Sequence, residues 1–291
     1  MYLINKFISP SQETQSRMSL QDYDLGLVIG EGSFSLCRLA RRRSDGKLFA
    51  MKIVSKAHVF KLGKVAYVQQ ERNILTSLIH PNIIRLYCCF HDERFLYFVL
   101  ELASFGDLQM LIKQNGPLPL PVVKLYTSQL VSALCHLREK KVIHRDLKPA
   151  NVLISDDMTL KLTDFGTAKK DSQNDSDTPV SPSFAGSALY VPPEMLEGGQ
   201  FSYATDLWSL GCIIFEMLTG RSPFNAKTDY LTFQLILTCT YTFPPSFDED
   251  TKCLVRSLLK RHPEERLGFK NLQYLTNHRF FSDLDNILPF R

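Results

Sequence analysis

No run of about 20 consecutive apolar residues occurs in the 291-residue chain, so no membrane-spanning helix is expected. The most apolar stretch, residues 207–218, is short and is interrupted by Glu216. The first twenty residues carry Lys6, Arg17 and many polar groups. They lack the apolar segment and cleavage pattern of a secretory signal, and residues 1–20 read as a flexible leader. Paired cysteines are also missing. Cys37, Cys88, Cys89, Cys135, Cys212, Cys239 and Cys253 form an odd set without CxxC spacing, which argues against a disulfide framework or a zinc site. The expectation is a soluble, cytoplasmic protein in a reducing compartment, with its cysteines serving as small core hydrophobes. Charge of one sign is scarce as well. The 34 Lys and Arg against 30 Asp and Glu leave only +4, too thin for nucleic acid or an anionic membrane to be the main partner. There is no internal repeat. A 44% hydrophobic composition with 14 Gly and 15 Pro excludes collagen-like and wholly disordered chains.

What is present falls into two parts. From Tyr23 to about residue 100 the pattern is strand-like, with strands expected at 25–29, 36–40, 48–53, 84–90 and 96–100. Asp45-Gly46 makes a natural hairpin turn. One helical interruption spans 65–78, where Val65, Val68, Ile74, Leu75 and Leu78 fall at helical spacing and His80-Pro81 follows as a stop. Beyond Gly106, helices are expected at 122–140, 206–219, 230–237 and 251–259, with short strands and polar loops over 142–165. The expected fold class is α+β, with a small β-rich part over 21–102 and a larger, mainly helical part over 103–291. Residues 171–182 have a disorder-like composition, and inside a compact domain such a stretch reads as a regulatory or binding loop.

Three motifs carry chemistry. Gly30-Glu31-Gly32-Ser33-Phe34-Ser35 lies between two expected strands. A dinucleotide-binding loop needs a helix after its glycines, so that reading fails. A plain glycine hairpin and a phosphate-cradling turn both remain. Lys52, within an apolar strand, is either an edge lysine facing solvent or a lysine paired with a carboxylate and reaching the α- and β-phosphates of a nucleotide. Glu71 on the next helix supplies that carboxylate, unless it is one more solvated helix charge. The decisive run is His144-Arg145-Asp146-Leu147-Lys148-Pro149-Ala150-Asn151, followed by Asp164-Phe165-Gly166. Asp146 suits acceptance of a hydroxyl proton and Lys148 suits stabilisation of a transferring phosphoryl group. Asn151 and Asp164 are hard oxygen ligands suited to Mg²⁺. Phosphoryl transfer needs mainly positioning and charge neutralisation, and this set supplies both.

With these motifs, residues 22–282 resemble the eukaryotic protein kinase family. The resemblance implies a bilobal fold with a five-stranded small lobe and one regulatory helix, ATP and Mg²⁺ between the lobes, and an activation segment over 164–194. It implies ATP contacts at Gly30 to Ser35, Cys37, Ala50, Lys52, Leu100 as gatekeeper, Glu101 and Ala103 in the hinge, Asp107, Asn151, Leu153, Thr163 and Asp164. The implied catalytic set is Lys52, Glu71, Asp146, Lys148 and Ser187. It further implies a buried Glu194–Arg266 ion pair, and Asp206 as the holder of the catalytic loop.

Several runs are most similar to the phosphoinositide-dependent kinases of the AGC group. They are the Ser-ending glycine loop, Lys64-Val65-Ala66-Tyr67-Val68, Asp164 to Lys169, Ser183-Phe184-Ala185-Gly186, Tyr190-Val191-Pro192-Pro193-Glu194 and Leu207 to Ile214. That likeness implies phosphorylation of the activation loops of other AGC kinases. It also implies an activating phosphate on Ser183 held by Arg145 and Lys169. A third implication is a groove receiving the phosphorylated hydrophobic motif of a substrate, at Lys56, Val59, Phe60, Val65, Val68, Gln69, Arg72, Leu96 and Phe98. No Phe-x-x-Phe tail precedes Arg291, so the groove is expected to be filled in trans. Departures from the pattern are Ala150 for a Glu that reads substrate arginine, Gln70 for a phosphate-holding Arg, Cys37 for Val over adenine, and the bulky Phe60. Cys37 is thereby exposed to alkylation by an ATP-site electrophile, and Phe60 is expected to make the groove shallower. Other AGC or calmodulin-dependent-type kinases, a pseudokinase scaffold and a small-molecule kinase stay open as alternatives. The presence of Lys52, Glu71, Asp146, Asn151 and Asp164 weighs against a scaffold, and the 183–194 platform weighs against a small-molecule substrate.

Overall fold

The computed structural model describes residues 18–170 and 188–284. Of the leader expected over 1–20, residues 1–17 lie outside the described residues, as do the polar stretch 171–182, Ser183 and Ser187, whereas Met18 and Leu20 pack against the apolar cluster of the first unit. The described chain divides into two compact units, one formed by residues 18–77 and 84–103, the other by 78–83 and 104–284.

The first unit is built on an antiparallel sheet of β1 (Tyr23–Gly32), β2 (Ser35–Arg42), β3 (Leu48–Ser55), β4 (Leu86–His91) and β5 (Phe95–Leu100), in the order β1-β2-β3-β5-β4. All five expected strands are present, and most run past the apolar residues that mark them. The turn at Asp45-Gly46 belongs to a five-residue loop. Gly46 takes φ +71° there, and Arg42 closes the loop by donating its N–H to the Lys47 carbonyl at 2.8 Å. Alternation along β3 gives the sheet two chemistries. Phe49 and Met51 join Tyr23, Ala40, Tyr97 and Val99 in one apolar cluster, where Phe90 stacks between Tyr23 and Tyr97. Ala50, Lys52 and Val54 occupy the other face.

Two helices, not the single one expected, follow β3. Helix α1 (Lys56–Lys61) starts at Ser55, whose hydroxyl accepts the His58 N–H, and six residues are too few to leave a periodic signature. Helix α2 (Val65–Ser77) buries Val68, Glu71, Ile74 and Leu75.

The second unit carries α3 (Leu108–Asn115), α4 (Leu120–Glu139), β6 (Val142–Ile143), β7 (Val152–Ile154), β8 (Leu160–Leu162), β9 (Lys169–Lys170), α5 (Pro193–Leu196), α6 (Tyr203–Thr219), α7 (Asp229–Leu237), α8 (Glu249–Leu258) and α9 (Gln273–Thr276). Its strands form two short ladders, β6 with β9 and β7 with β8. Helix α6 is apolar on all sides and accordingly buried along nearly its whole length, with Trp208 stacked on Phe224. Gly211 lets α8 approach it closely. A Cβ there would meet Leu259 Cδ2 at 2.9 Å and Leu258 Cβ at 3.0 Å. Gly211→Ala is therefore expected to destabilise the fold by about 1–3 kcal/mol through overpacking, read as a lower urea midpoint.

All seven cysteines are free thiols, and the expectation that each is a core hydrophobe needs correction. Only Cys212 is fully buried, whereas Cys89 and Cys253 are exposed. Cys253 lies off the buried stripe of α8 formed by Thr251, Leu254, Val255 and Leu258, and Cys89 is on β4, an edge strand whose alternation turns it away from the apolar cluster and into the wall of a pocket beside α2. Among the described residues, no helix is long and apolar enough to cross a membrane.

Candidate active site

In the first unit, the glycine-rich run forms the tip of the β1–β2 hairpin. Gly32 pairs with Ser35, leaving Ser33 and Phe34 as the turn, and Gly30 pairs with Cys37. A Cβ on Gly32 would lie 2.8 Å from Ser35 Oγ, a contact that turning the Ser35 side chain relieves. At Gly30 a Cβ would meet only ordinary contact, 3.6 Å from the Cys37 Cβ.

Lys52 is on β3, the central strand, which disposes of an edge position. Its neighbours across the ladders are Cys37 and Phe98. Its Nζ donates to Glu71 Oε1 at 2.6 Å, and the Glu71 side chain is only 5% exposed. Glu71 is thus a buried partner and not a solvated helix charge. Ala50 faces Leu100 across the β3–β5 ladder, and both are buried. Glu101 donates its N–H to the Arg85 carbonyl at 2.8 Å, and Ala103 is the last residue of the unit. Burial pushes the Cys37 thiol up, with Lys52 opposing more weakly. A protonated thiol is a poor nucleophile, which sets back the alkylation expected of Cys37. Iodoacetamide at about neutral pH should modify Cys37 more slowly than free cysteine, as read by peptide mass spectrometry.

In the second unit, the loop after β6 is fixed from below. The carboxylate of Asp206, in the first turn of α6, accepts the backbone N–H groups of His144 at 2.9 Å and Arg145 at 3.0 Å. This holds Arg145 at φ +69°, a left-handed conformation that costs a non-glycine residue about 1–2 kcal/mol. His144 is fully buried. Its Nδ1 accepts the Asp146 N–H at 3.4 Å, which places its proton on Nε2, 2.9 Å from the Thr163 carbonyl. Sequence reasoning assigned no role to His144, although it opens the His-Arg-Asp run. It joins the two loops that carry the expected chemistry.

Asp146 Oδ2 accepts Lys148 Nζ at 2.7 Å and Asn151 Nδ2 at 3.0 Å. Asn151 Nδ2 also donates to the Asp146 carbonyl at 2.8 Å, and Thr163 donates its N–H to the Asn151 carbonyl. Leu153, on β7, bridges to Asp107. The Asp107 carboxylate accepts the Met110 N–H at 2.7 Å and so caps α3.

The donor set fits a divalent cation held jointly with phosphate. Among the described residues, no group of three or more His, Cys, Asp or Glu could hold a metal by itself. Asn151, 6% exposed, commits its amide N–H groups to Asp146, so its oxygen is the donor left for a hard cation. Asp164 stands at φ +61°, and a Cβ on Gly166 would come within 3.3 Å of Asp164 Oδ1. Two oxygen ligands completed by phosphates and water are what Mg²⁺ commonly takes.

Two further clusters complete the unit. Arg145 Nε donates to the Thr167 carbonyl at 2.5 Å, its guanidinium packs over Phe201, and Lys169 pairs with Ile143 in the β6–β9 ladder. Lys169 is thus on the β6–β9 ladder, and Arg145 stands two residues beyond β6. Ser183 and Ser187 lie outside the described residues. Arg266, with a side chain 0% exposed, holds both Glu194 oxygens at 2.7 and 2.6 Å and also donates to the carbonyls of Ala204 and Lys260.

On the first unit, a small open pocket lies beside α2, β4 and β5. Four of the expected groove residues line it: Val68, Arg72, Leu96 and Phe98. Val65 and Gln69 are not in its wall, Val59 is buried beneath the surface, and Phe60 points outward at 75% exposure. Phe60 therefore does not make this pocket shallower. Lys56 reaches the rim, donating to the Asp92 carbonyl at 2.6 Å and lying 3.4 Å from His91 Nδ1. Cys89 and His91, also in the wall, were not foreseen, although residues 89 and 91 share a face of β4.

Residues 23–281 match the family model described as the protein kinase domain, and the chain belongs to that family. Its relatives point to one branch. It is 41% identical to rat 3-phosphoinositide-dependent protein kinase 1 over 91% of this chain and 48% of that protein. It is 37% identical to the Arabidopsis thaliana protein of the same name, over 93% of this chain and 57% of the relative. Serine/threonine-protein kinase PKH2 of Saccharomyces cerevisiae is also 37% identical, over 97% of this chain and 27% of its own length. The chain thus spans about half the length of the mammalian and plant relatives.

Proposed function

We propose that this chain transfers the γ-phosphate of ATP to serine or threonine hydroxyls of proteins, and that its substrates are the activation loops of other AGC kinases. The observation that carries the transfer is the Asp146 carboxylate, oriented by Lys148 and Asn151 on a backbone tied down by Asp206. Held this way, Asp146 orients an attacking hydroxyl and accepts its proton, and Lys148 offsets charge on the phosphoryl group in flight. When bound, Mg·ATP supplies the phosphoryl group and the neutralising cation charge. Asn151 and Asp164 are the residues that would hold the cation. Lys52, steadied by Glu71, would hold the α- and β-phosphates, and the backbone of Gly30 to Ser35 would cover them.

The choice of substrate rests on the motif runs shared with the phosphoinositide-dependent kinases. Two further assignments go with it. Ser183 is the activating phosphosite, its phosphate held by Arg145 and Lys169 through charge-assisted hydrogen bonds. Active protein without phosphate on Ser183, judged by mass spectrometry, would set that aside. The pocket of the first unit receives a phosphorylated hydrophobic motif of the substrate, with Val68, Leu96 and Phe98 as its apolar wall and Arg72 and Lys56 as its cations. A substrate tail peptide should bind and stimulate, and Arg72→Ala should weaken both effects. The decisive experiment incubates the chain with Mg·ATP and an AGC kinase whose activation-loop Ser/Thr is either intact or replaced by alanine. Label should enter the intact substrate alone. Transfer that persists in the alanine form, or is absent from both, overturns the reading.

A further inference from the structure

Residues 78–83 follow α2 in the chain but belong to the second unit. On one side they are bonded to β8. The Asn82 carbonyl accepts the Leu162 N–H at 2.9 Å, Asn82 Nδ2 donates to the Leu160 carbonyl at 3.3 Å, and Ile83 bridges to Leu162. On the other side lies α4. His80 Nε2 is 3.1 Å from Ser132 Oγ, and the His80 ring stacks on that of His136, with centroids 5.1 Å apart and planes 23° from parallel.

The turn itself is held through the other ring nitrogen. Nδ1 of His80 accepts the Asn82 N–H at 3.1 Å, while the His80 carbonyl accepts the Ile83 N–H at 3.1 Å. A nitrogen that accepts carries no proton, so the closed turn requires a neutral ring with its proton on Nε2, donated to Ser132. A second proton can go only to Nδ1, where it meets the Asn82 N–H: two donors and no acceptor. The new charge would also face His136, whose Nε2 is buried without a hydrogen-bond partner among the described residues. Burial and His136 hold the His80 imidazole below its usual range; Glu139 on α4 opposes that shift and Lys161 on β8 adds to it. Opening the turn returns the ring to water, where it protonates at about pH 6.5. Below about that pH the open form binds more protons than the closed one, so acid favours opening.

We propose that His80 and His136 form a pH-sensitive latch, in which proton uptake at Nδ1 of His80 breaks the bond from the Asn82 N–H and loosens the grip of the 80–83 turn on β8. The proton comes from water and returns to it when the turn closes. Asp164, the residue that would hold the cation, stands two positions beyond Leu162. An effect of the latch on phosphoryl transfer rests on the function proposed above, whereas its opening can be read without ATP.

The test follows backbone amide exchange in the full 291-residue chain by NMR between about pH 7.5 and about pH 5.5, a span that brackets the ordinary histidine range. Each rate is expressed as protection relative to an unfolded chain at the same pH, which removes the intrinsic pH dependence of exchange. Protection of the Asn82 and Leu162 amides should fall several-fold across that span, while the interior of α6 keeps its own. His80→Asn leaves a side-chain oxygen for the Asn82 N–H and has nothing to titrate, so the fall should vanish. His136→Phe keeps a stacked ring without a second imidazole and should give a shallower fall than the parent. Constant protection in the parent, an equal fall throughout α6, or an undiminished fall in His80→Asn overturns the proposal. Should both variants melt early, the parent decides alone. Nδ1 of His80 must then gain its proton over the same pH range in which the Asn82 amide loses protection, and separate midpoints overturn the latch.

Discussion

Asp146→Asn is expected to lower phosphoryl transfer by about 10²–10⁴-fold, the usual contribution of a positioned general base. The substitution preserves the shape of the side chain and can still accept from Lys148, so the melting temperature should stay close to that of the parent. Asp146 is bound in place by two side-chain donors, and the neighbouring backbone is held by Asp206. Loss of activity with an unchanged melt therefore reports on proton acceptance and hydroxyl orientation. A variant that retains more than about a tenth of the parent rate would remove Asp146 from the role proposed for it.

Glu194→Ala should produce the largest loss of stability. Arg266 is buried, and its guanidinium is satisfied by two Glu194 oxygens plus the carbonyls of Ala204 and Lys260. Removing the carboxylate leaves a buried cation with only neutral acceptors, a change that costs about 3–5 kcal/mol. Urea unfolding should show a lower midpoint at an unchanged slope. Replacing both residues together by apolar ones of similar size should recover much of that loss, because what destabilises is the unpaired charge more than the missing attraction. A single-variant loss below about 1 kcal/mol would place the pair in the class of exposed ion pairs.

The five strands of the first unit could be read from the chain because half-buried strands alternate, and the long helices because an apolar face repeats at helical spacing. The misses share a physical cause. Helix α1, six residues held by one cap, has too few turns to show a period, and α5 and α9 have four residues each. The missing α1 also hid which way the residues after β3 point, since it is that turn which sends Val59 inward and Phe60 outward. Lys52, Glu71, Asp146, Asn151 and Asp164 stand out in the sequence because the chemistry proposed for them dictates residue type and order together. Cys89 and His91 could not. They reach the pocket only because β4 lies beside β5 in the sheet, a neighbour relation fixed by tertiary structure and not by local pattern.

The bond from Asp206 to the loop after β6 bears on how the domain opens. Local unfolding usually starts in loops, where backbone amides meet water with little buried surface to hold them. The amides of His144 and Arg145 instead donate to a carboxylate in the first turn of α6, the most thoroughly buried helix of the second unit. Breaking them strands a buried carboxylate, so they should exchange with solvent deuterium as slowly as the interior of α6, only when the unit unfolds as a whole. In that respect the loop proposed to carry the chemistry belongs to the hydrophobic core.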